Sequence, residues 1–393
     1  MDSVIEYFDS RGDSIIPAIV ATTVVTTLTL TSLMRYALRT RKPQIIRGAL
    51  TTSVPRMSKE ERAKIPYPSD EIPGARDVVT PYGNIRVYEF GPEQGRKVLF
   101  VHGISTSCMT LIDLANGLVE KGCRVMMFDL FGRGFSDAPG DVPYDTRLFV
   151  TQILLVLASS PLGWTGNNAF SLIGYSLGGG IAVNFAVTFP DMVESLILLS
   201  PSGLIRPENI GRMSRLIFTT GIVPERLLAW ITKTRLRTPI DNAVSKKRPA
   251  ASNMLPTAAE KEDFVDLAVQ EAIDPRPQQS PTPYELVVTE FVSWSLDYNE
   301  GFVPAMMSSI RYAPLMEQQQ YWRMLAKRKP GTTAVLIGRD DNLIQPEDYE
   351  EDALPLIGGK DNVFWRIVPG THNFPFTCPE DALKTIYEFW GME

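Results

Sequence analysis

A chain of 393 residues, 44% of them hydrophobic, is long enough for one large domain or two with a sizeable core. Its net charge of −6, from 39 Lys and Arg against 45 Asp and Glu, is mild, and no global basic balance points to nucleic acid. Three cysteines (Cys108, Cys123 and Cys378), odd in number and widely spaced, argue against a disulfide framework or a zinc site and fit a reducing compartment.

Residues 1–13 are polar and acidic. Ser14 to Met34 then runs 21 residues without a charge, which as a helix spans about 31 Å, close to the hydrocarbon core of a bilayer. Arg35, Arg39, Arg41, Lys42 and Arg47 follow it. A signal peptide would begin with positive charge, whereas this segment is preceded by Asp2, Glu6 and Asp9. Its many threonines make it only marginally hydrophobic, so a buried soluble helix is a further alternative. We expect a single-pass membrane anchor at 14–34 with the catalytic body on the cytoplasmic side. Residues 35–75, broken by Pro43, Pro55, Pro66, Pro68 and Pro73, read as a linker with one helical turn near Ser58 to Lys64.

The globular part begins at residue 76. Arg76 to Thr80 and Ile85 to Phe90 read as strands joined by a turn at Pro81-Tyr82-Gly83-Asn84. Lys97 to Val101 is a third strand, Thr110 to Lys121 a helix closed by Gly122, and Arg124 to Asp129 another strand. Asp145 to Ser159 is an amphipathic helix. The apolar run Phe170 to Ile173, a helix from Leu177 to about Phe189, and the strand Ser195 to Ser200 follow. Such alternation predicts a mostly parallel α/β sheet covered on both faces, with 76–200 as its first part. Residues 201–325 break the alternation with helical patterns and proline-rich interruptions, at 274–277 and 280–283, and read as a helical cap. The sheet resumes over 326–393, with strands at Thr332 to Ile337 and Val363 to Val368 and a last helix at Pro379 to Trp390. A cap inserted there covers the C-terminal edge of the strands, where open parallel sheets bind ligands. Within it, residues 206–248 are strongly basic and 260–300 strongly acidic. Either a lid face rests on anionic lipid, or the two halves pair with each other in an ordinary solvated lid.

Gly174-Tyr175-Ser176-Leu177-Gly178 lies between a strand and a helix, the pattern of a nucleophile elbow. Gly174 and Gly178 let neighbouring backbone pass the turn that lifts the Ser176 hydroxyl. A serine nucleophile needs a base and an orienting acid. The chain has only two histidines, His102 and His372, and His372 follows the last strand on the same edge as Ser176. Asp340 and Asp341 both follow the preceding strand. Asp341, three residues after Gly338, is preferred. Ser176, Asp341 and His372 thus form the expected catalytic set. The N–H groups of Leu177 and Ile104 are the expected oxyanion donors. His102, beside Gly103, is expected to support that loop rather than move protons.

Val101-His102-Gly103, the loop Asp129 to Ser136, the elbow Gly174 to Gly179, and the Gly338–Asp341 and His372 sites together resemble the α/β-hydrolase superfamily over about residues 76–393. The resemblance implies an eight-stranded sheet whose second strand is antiparallel and a helical lid after the sixth. It also implies an acyl-enzyme route for ester, thioester or amide substrates, with no metal or organic cofactor. With its N-terminal anchor the chain looks like the membrane-bound monoacylglycerol lipases of that superfamily. The expected partners are therefore a small hydrophobic ester and a membrane held through the N-terminal helix, with no nucleic acid. Ser176 argues against the relatives that use an aspartate nucleophile. Ser107 and Thr377 stand five residues after His102 and His372, where acyltransferase relatives carry aspartate. A specialised-metabolite hydrolase or thioesterase using the same residues, and a non-catalytic interaction protein on the same fold, are the alternatives.

Overall fold

The computed structural model describes residues 2–37, 44–220, 223–244, 263–273 and 283–392. It divides into two units, Met1–Lys42 and Pro43–Glu393. The first is a single helix, α1 (Asp2–Ala37), whose Pro17–Met34 stretch is exposed throughout. Three of the six threonines in this stretch return their hydroxyls to the preceding turn: Thr22 to Ala18 O, Thr29 to Val25 O and Thr31 to Thr27 O, at 2.6–2.8 Å. Those bonds satisfy three hydroxyls inside the helix, so these threonines make it less polar than their composition implies. An exposed apolar helix at this end of a chain serves as a membrane anchor or as a signal sequence. The basic residues Arg39, Arg41 and Lys42 lie outside the described residues.

The second unit opens with β1 (Ile45–Ile46) and α2 (Lys59–Arg62). Ser58 and Glu61 close a reciprocal capping box on α2. Residues 44–74 have little regular structure, yet they are not a free linker. Ala49, Tyr67 and Ile72 are buried with the core, and β1 pairs with β6 (Ala138–Pro139) in a short ribbon. The alternation then runs through β2 (Ala75–Thr80), β3 (Gly83–Phe90), β4 (Lys97–Val101), α3 (Ile112–Glu120), β5 (Arg124–Phe128), α4 (Thr146–Ala158), β7 (Phe170–Tyr175), α5 (Leu177–Thr188) and β8 (Val193–Leu199). The cap comprises α6 (Arg212–Thr219), α7 (Glu225–Val244), α8 (Phe264–Ala272), α9 (Pro283–Tyr298), α10 (Phe302–Tyr312) and α11 (Gln319–Leu325). The chain finishes with β9 (Thr333–Gly338), α12 (Pro346–Asp352), β10 (Phe364–Val368), α13 (Phe374–Thr377) and α14 (Pro379–Trp390).

Among the described residues, eight strands form the main sheet in the order β10-β9-β8-β7-β4-β5-β3-β2. β3, the second of them along the chain, is antiparallel to both neighbours, and the other pairings are parallel. Side chains alternate across the strands. Leu99, Val101, Leu172 and Leu198 pack on one face, and Val98, Phe100, Ile173 and Leu199 on the other. α5 is buried almost all round, as its largely apolar sequence requires.

The cap follows β8, the sixth strand of this sheet. Arg206 roots it on α12 through Asp348, Glu351 and Asp352 at 2.7–2.8 Å. The opposed charges of its two halves pair in part: Arg235 with Asp263 and Asp266, and Arg237 with Asp297. The proline-rich stretch 274–282 and the basic residues 246–248 lie outside the described residues.

Candidate active site

Strand register gathers five loops on one edge. Val101 stands opposite Gly174, Tyr175 opposite Leu199, Leu199 opposite Leu336, and Gly338 opposite Val368. The chain leaves each of these strands at the same level, so His102, Ser176, Ser200, Asp341 and His372 all follow strand ends on that edge.

Ser176 sits between β7 and α5 at φ 54°, ψ −120°, a conformation that costs a non-glycine residue roughly 1–3 kcal/mol. Surrounding bonds hold it: its N–H donates to Leu199 O at 3.0 Å, and its carbonyl accepts from Ser202 N at 2.9 Å. The flanking glycines are required sterically. A Cβ at Gly174 would stand 2.3 Å from Gly178 O, and one at Gly178 would stand 2.1 Å from Val101 O. Leu177 N–H opens α5 and so has no carbonyl partner within that helix.

His372 Nδ1 meets Asp341 Oδ2 at 2.9 Å, and both side chains are buried. The Asp341 carboxylate is fixed on its other side. Oδ1 accepts from the N–H groups of Leu343 and Ile344 at 2.9 and 2.7 Å, and Oδ2 also accepts the Ser200 hydroxyl at 2.6 Å. Asp340 is exposed beside it. The His372 ring packs on Tyr175 with centroids 5.3 Å apart, and Tyr175 Oη donates to Asn373 Oδ1 at 3.2 Å.

His102 is fully buried. Its Nε2 accepts from Leu130 N at 2.9 Å, which leaves Nδ1–H to donate to Gly103 O at 3.0 Å. Burial, reinforced by the Arg133 charge, pushes its pKa down to about 3, so the ring is neutral at ordinary pH. Arg133 is buried as well, and burial lowers its pKa to about 10. It donates to Ile104 O, Phe131 O and the Ser309 hydroxyl at 2.9–3.1 Å, tying the loop after β4 to the cap. Asp129 accepts from Cys108 N and Phe135 N at 3.0 and 2.9 Å. Its pKa is raised by burial against the lowering effect of those bonds.

Ser176 and Ile104 line a small pocket with Ile205, Phe264, Leu267 and Leu343. Its volume is about 20 Å³, room for about one water molecule. The Ile104 N–H, an expected oxyanion donor, is engaged by the Glu271 carboxylate of α8 at 2.8 Å.

The profile of the family described as alpha/beta hydrolase fold matches residues 97–376. The chain belongs to this α/β-hydrolase family. The hydrolase is 36% identical to the human "Serine hydrolase-like protein" over 139 residues, 35% of this chain and 65% of the relative. With the zebrafish (Danio rerio) protein of the same description it shares 33% over 129 residues, 33% of this chain and 38% of the relative. The matched stretch is thus less than two thirds of either relative's length. Among solved structures, a membrane phospholipase A superposes over 96% of both chains with a TM-score of 0.53 at 16% identity, a likeness of fold.

Three residues around the α/β-hydrolase site are not named by strand and motif pattern, and they differ in how far the sequence signals them. Ser200 follows β8 at φ 40°, an unusual value for a non-glycine residue, and nothing in its local sequence announces it. Arg133 lies inside a loop that the sequence does single out. Glu271 carries a visible signal: with Phe264, Leu267 and Ala268 it shares the 3–4 spacing of one helix face, a carboxylate on a core-facing stripe.

Proposed function

We propose that the protein is a membrane-anchored serine hydrolase that cleaves carboxylic esters of hydrophobic acyl groups. The observation that carries this reading is the Asp341–His372 hydrogen bond of 2.9 Å, buried on the sheet edge where Ser176 is held in a strained elbow. His372 Nε2 takes the Ser176 Oγ proton as the oxygen attacks the ester carbonyl. Asp341 keeps the proton on Nδ1 and stabilises the imidazolium. The oxyanion is received by Leu177 N–H and Ile104 N–H. Collapse breaks the ester C–O bond, His372 protonates the leaving alcohol, and a water deprotonated by His372 then releases the acid from the acyl-enzyme.

The apolar walls of the pocket, Ile104, Ile205, Phe264 and Leu267 among them, favour an acyl chain over a polar acid. The exposed, internally satisfied α1 favours an anchor that brings the body to its lipid substrate. The test is a panel of monoacylglycerols, short p-nitrophenyl esters and acyl-CoA thioesters with detergent-solubilised full-length protein and its Ser176→Ala variant. Preferential turnover of long-chain acylglycerols, absent in the variant, is the expected result. Turnover confined to thioesters would move the protein to a thioesterase, and no turnover of any class would leave the fold without this chemistry.

A further inference from the structure

Glu271 is fully buried, and its carboxylate fills the cradle formed by the loop after β4. Oε2 accepts from Ile104 N at 2.8 Å. Oε1 accepts from Ser105 N at 2.9 Å, Thr106 Oγ1 at 3.0 Å, and Thr106 N and Ser105 Oγ at 3.3 Å. A carboxylate oxygen therefore holds the donor that the proposed mechanism reserves for the oxyanion. Two negative oxygens cannot share that donor without strong repulsion in so dry a place.

The loop is also held by bonds that do not involve Glu271. Arg133 holds Ile104 O, His102 Nδ1 holds Gly103 O within the loop, and Asp129 Oδ1 holds Cys108 N. Glu271 comes from the cap. Phe264 and Leu267, two turns and one turn earlier on the same face of α8, are among the residues that line the pocket beside Ser176. A single helix face thus both lines this pocket and engages the oxyanion donor.

We propose that α8 is a self-inhibitory latch opened by the acyl chain. An acyl chain entering the pocket displaces Phe264 and Leu267. The same movement withdraws Glu271 and frees the Ile104 N–H. Short esters, too small to displace the helix, react only in the minor open fraction. This rests on the serine-hydrolase reading and adds the residue that couples acyl-chain binding to activation.

The test compares p-nitrophenyl acetate and decanoate, with a fluorophosphonate that phosphonylates Ser176 with loss of fluoride, on detergent-solubilised full-length protein. Glu271→Ala is expected to raise the acetate rate and the labelling rate about tenfold, with a much smaller change for decanoate, so that the chain-length preference collapses. Thr106→Val removes one hydroxyl from Glu271 and leaves Ile104 N–H in place, and is expected to shift the ratio the same way by a smaller factor. Equal losses on both esters at unchanged melting temperature would make Glu271 an organiser of the loop and overturn the latch, as would an unaltered ratio in both variants. Absence of Ser176 labelling in wild type and variants alike would instead overturn the serine-hydrolase reading itself. Labelling in Glu271→Ala that greatly exceeds wild type upholds both.

Discussion

Ser200 donates its hydroxyl at 2.6 Å to Asp341 Oδ2, the same oxygen that His372 Nδ1 meets at 2.9 Å. Ser200 is held in place by its own N–H on Leu336 O at 2.8 Å. In the proposed mechanism it is a positioning residue that fixes the carboxylate, and through it the imidazole. A hydrogen bond to a charged group contributes about 1.5–3 kcal/mol. Ser200→Ala should lower kcat about tenfold while KM changes less than about twofold, because the interaction orients the base and does not bind substrate. Steady-state kinetics on a long-chain ester decide it, and an unchanged kcat would remove Ser200 from the site.

Asp340 and Asp341 offer a clean internal comparison. The first is exposed, while the second is 3% exposed and accepts four hydrogen bonds with its partners already described. Asp341→Asn should lower kcat by roughly 10³–10⁴, since the amide no longer stabilises the imidazolium or selects the Nδ1–H tautomer. Asp340→Asn should stay within about twofold of wild type, the usual size of a surface change. Equal losses in the two variants would contradict the assignment.

His102 makes a prediction about stability rather than rate. Its folded pKa lies near 3 because of burial, and an unfolded histidine titrates near 6.5. Between those values the unfolded chain binds a proton that the folded chain refuses, so stability falls as pH drops below about 6.5 and the loss stops growing near 3. By pH 5 the loss from this residue is about 2 kcal/mol. His102→Gln should be less stable than wild type at pH 7, but should lose about 2 kcal/mol less on going to pH 5. Urea unfolding at the two pH values measures this, and parallel losses in the two proteins would refute it.

Much of this arrangement is legible in the sequence, for physical reasons. Strands such as Lys97–Val101 and Phe170–Tyr175 are continuous apolar runs because both faces of a parallel sheet are covered. Ser176, Asp341 and His372 stand at strand ends, so their order follows once the strands are placed. The packing of Ala49, Tyr67 and Ile72 is hidden because prolines erase any period there, and the β1–β6 ribbon is hidden because two residues per strand carry none. The spacing of α8 marks Glu271 as core-facing, but its partner Ile104 and the partner of Ser200, Asp341, lie 167 and 141 residues away, and local pattern does not name them.

Gly103 lies beneath the Glu271 carboxylate closely enough to test that contact by thermodynamics alone. A Cβ built on Gly103 would stand 2.3–2.4 Å from Oε1, Cδ and Oε2 of Glu271, nearer than any other group it would meet. Gly103→Ala must therefore push the carboxylate away from the cradle. Overpacking of this kind costs about 1–3 kcal/mol. In a Glu271→Ala background the obstructing atoms are gone, and the same substitution should cost only a few tenths of a kcal/mol. The double-mutant cycle, read from urea unfolding of the four proteins, should give a coupling of about 1–2 kcal/mol. A coupling near zero would mean that in solution Glu271 does not occupy the cradle. Gly103→Ala should also raise the acetate-to-decanoate rate ratio, because displacing the carboxylate opens the donor without removing its side chain.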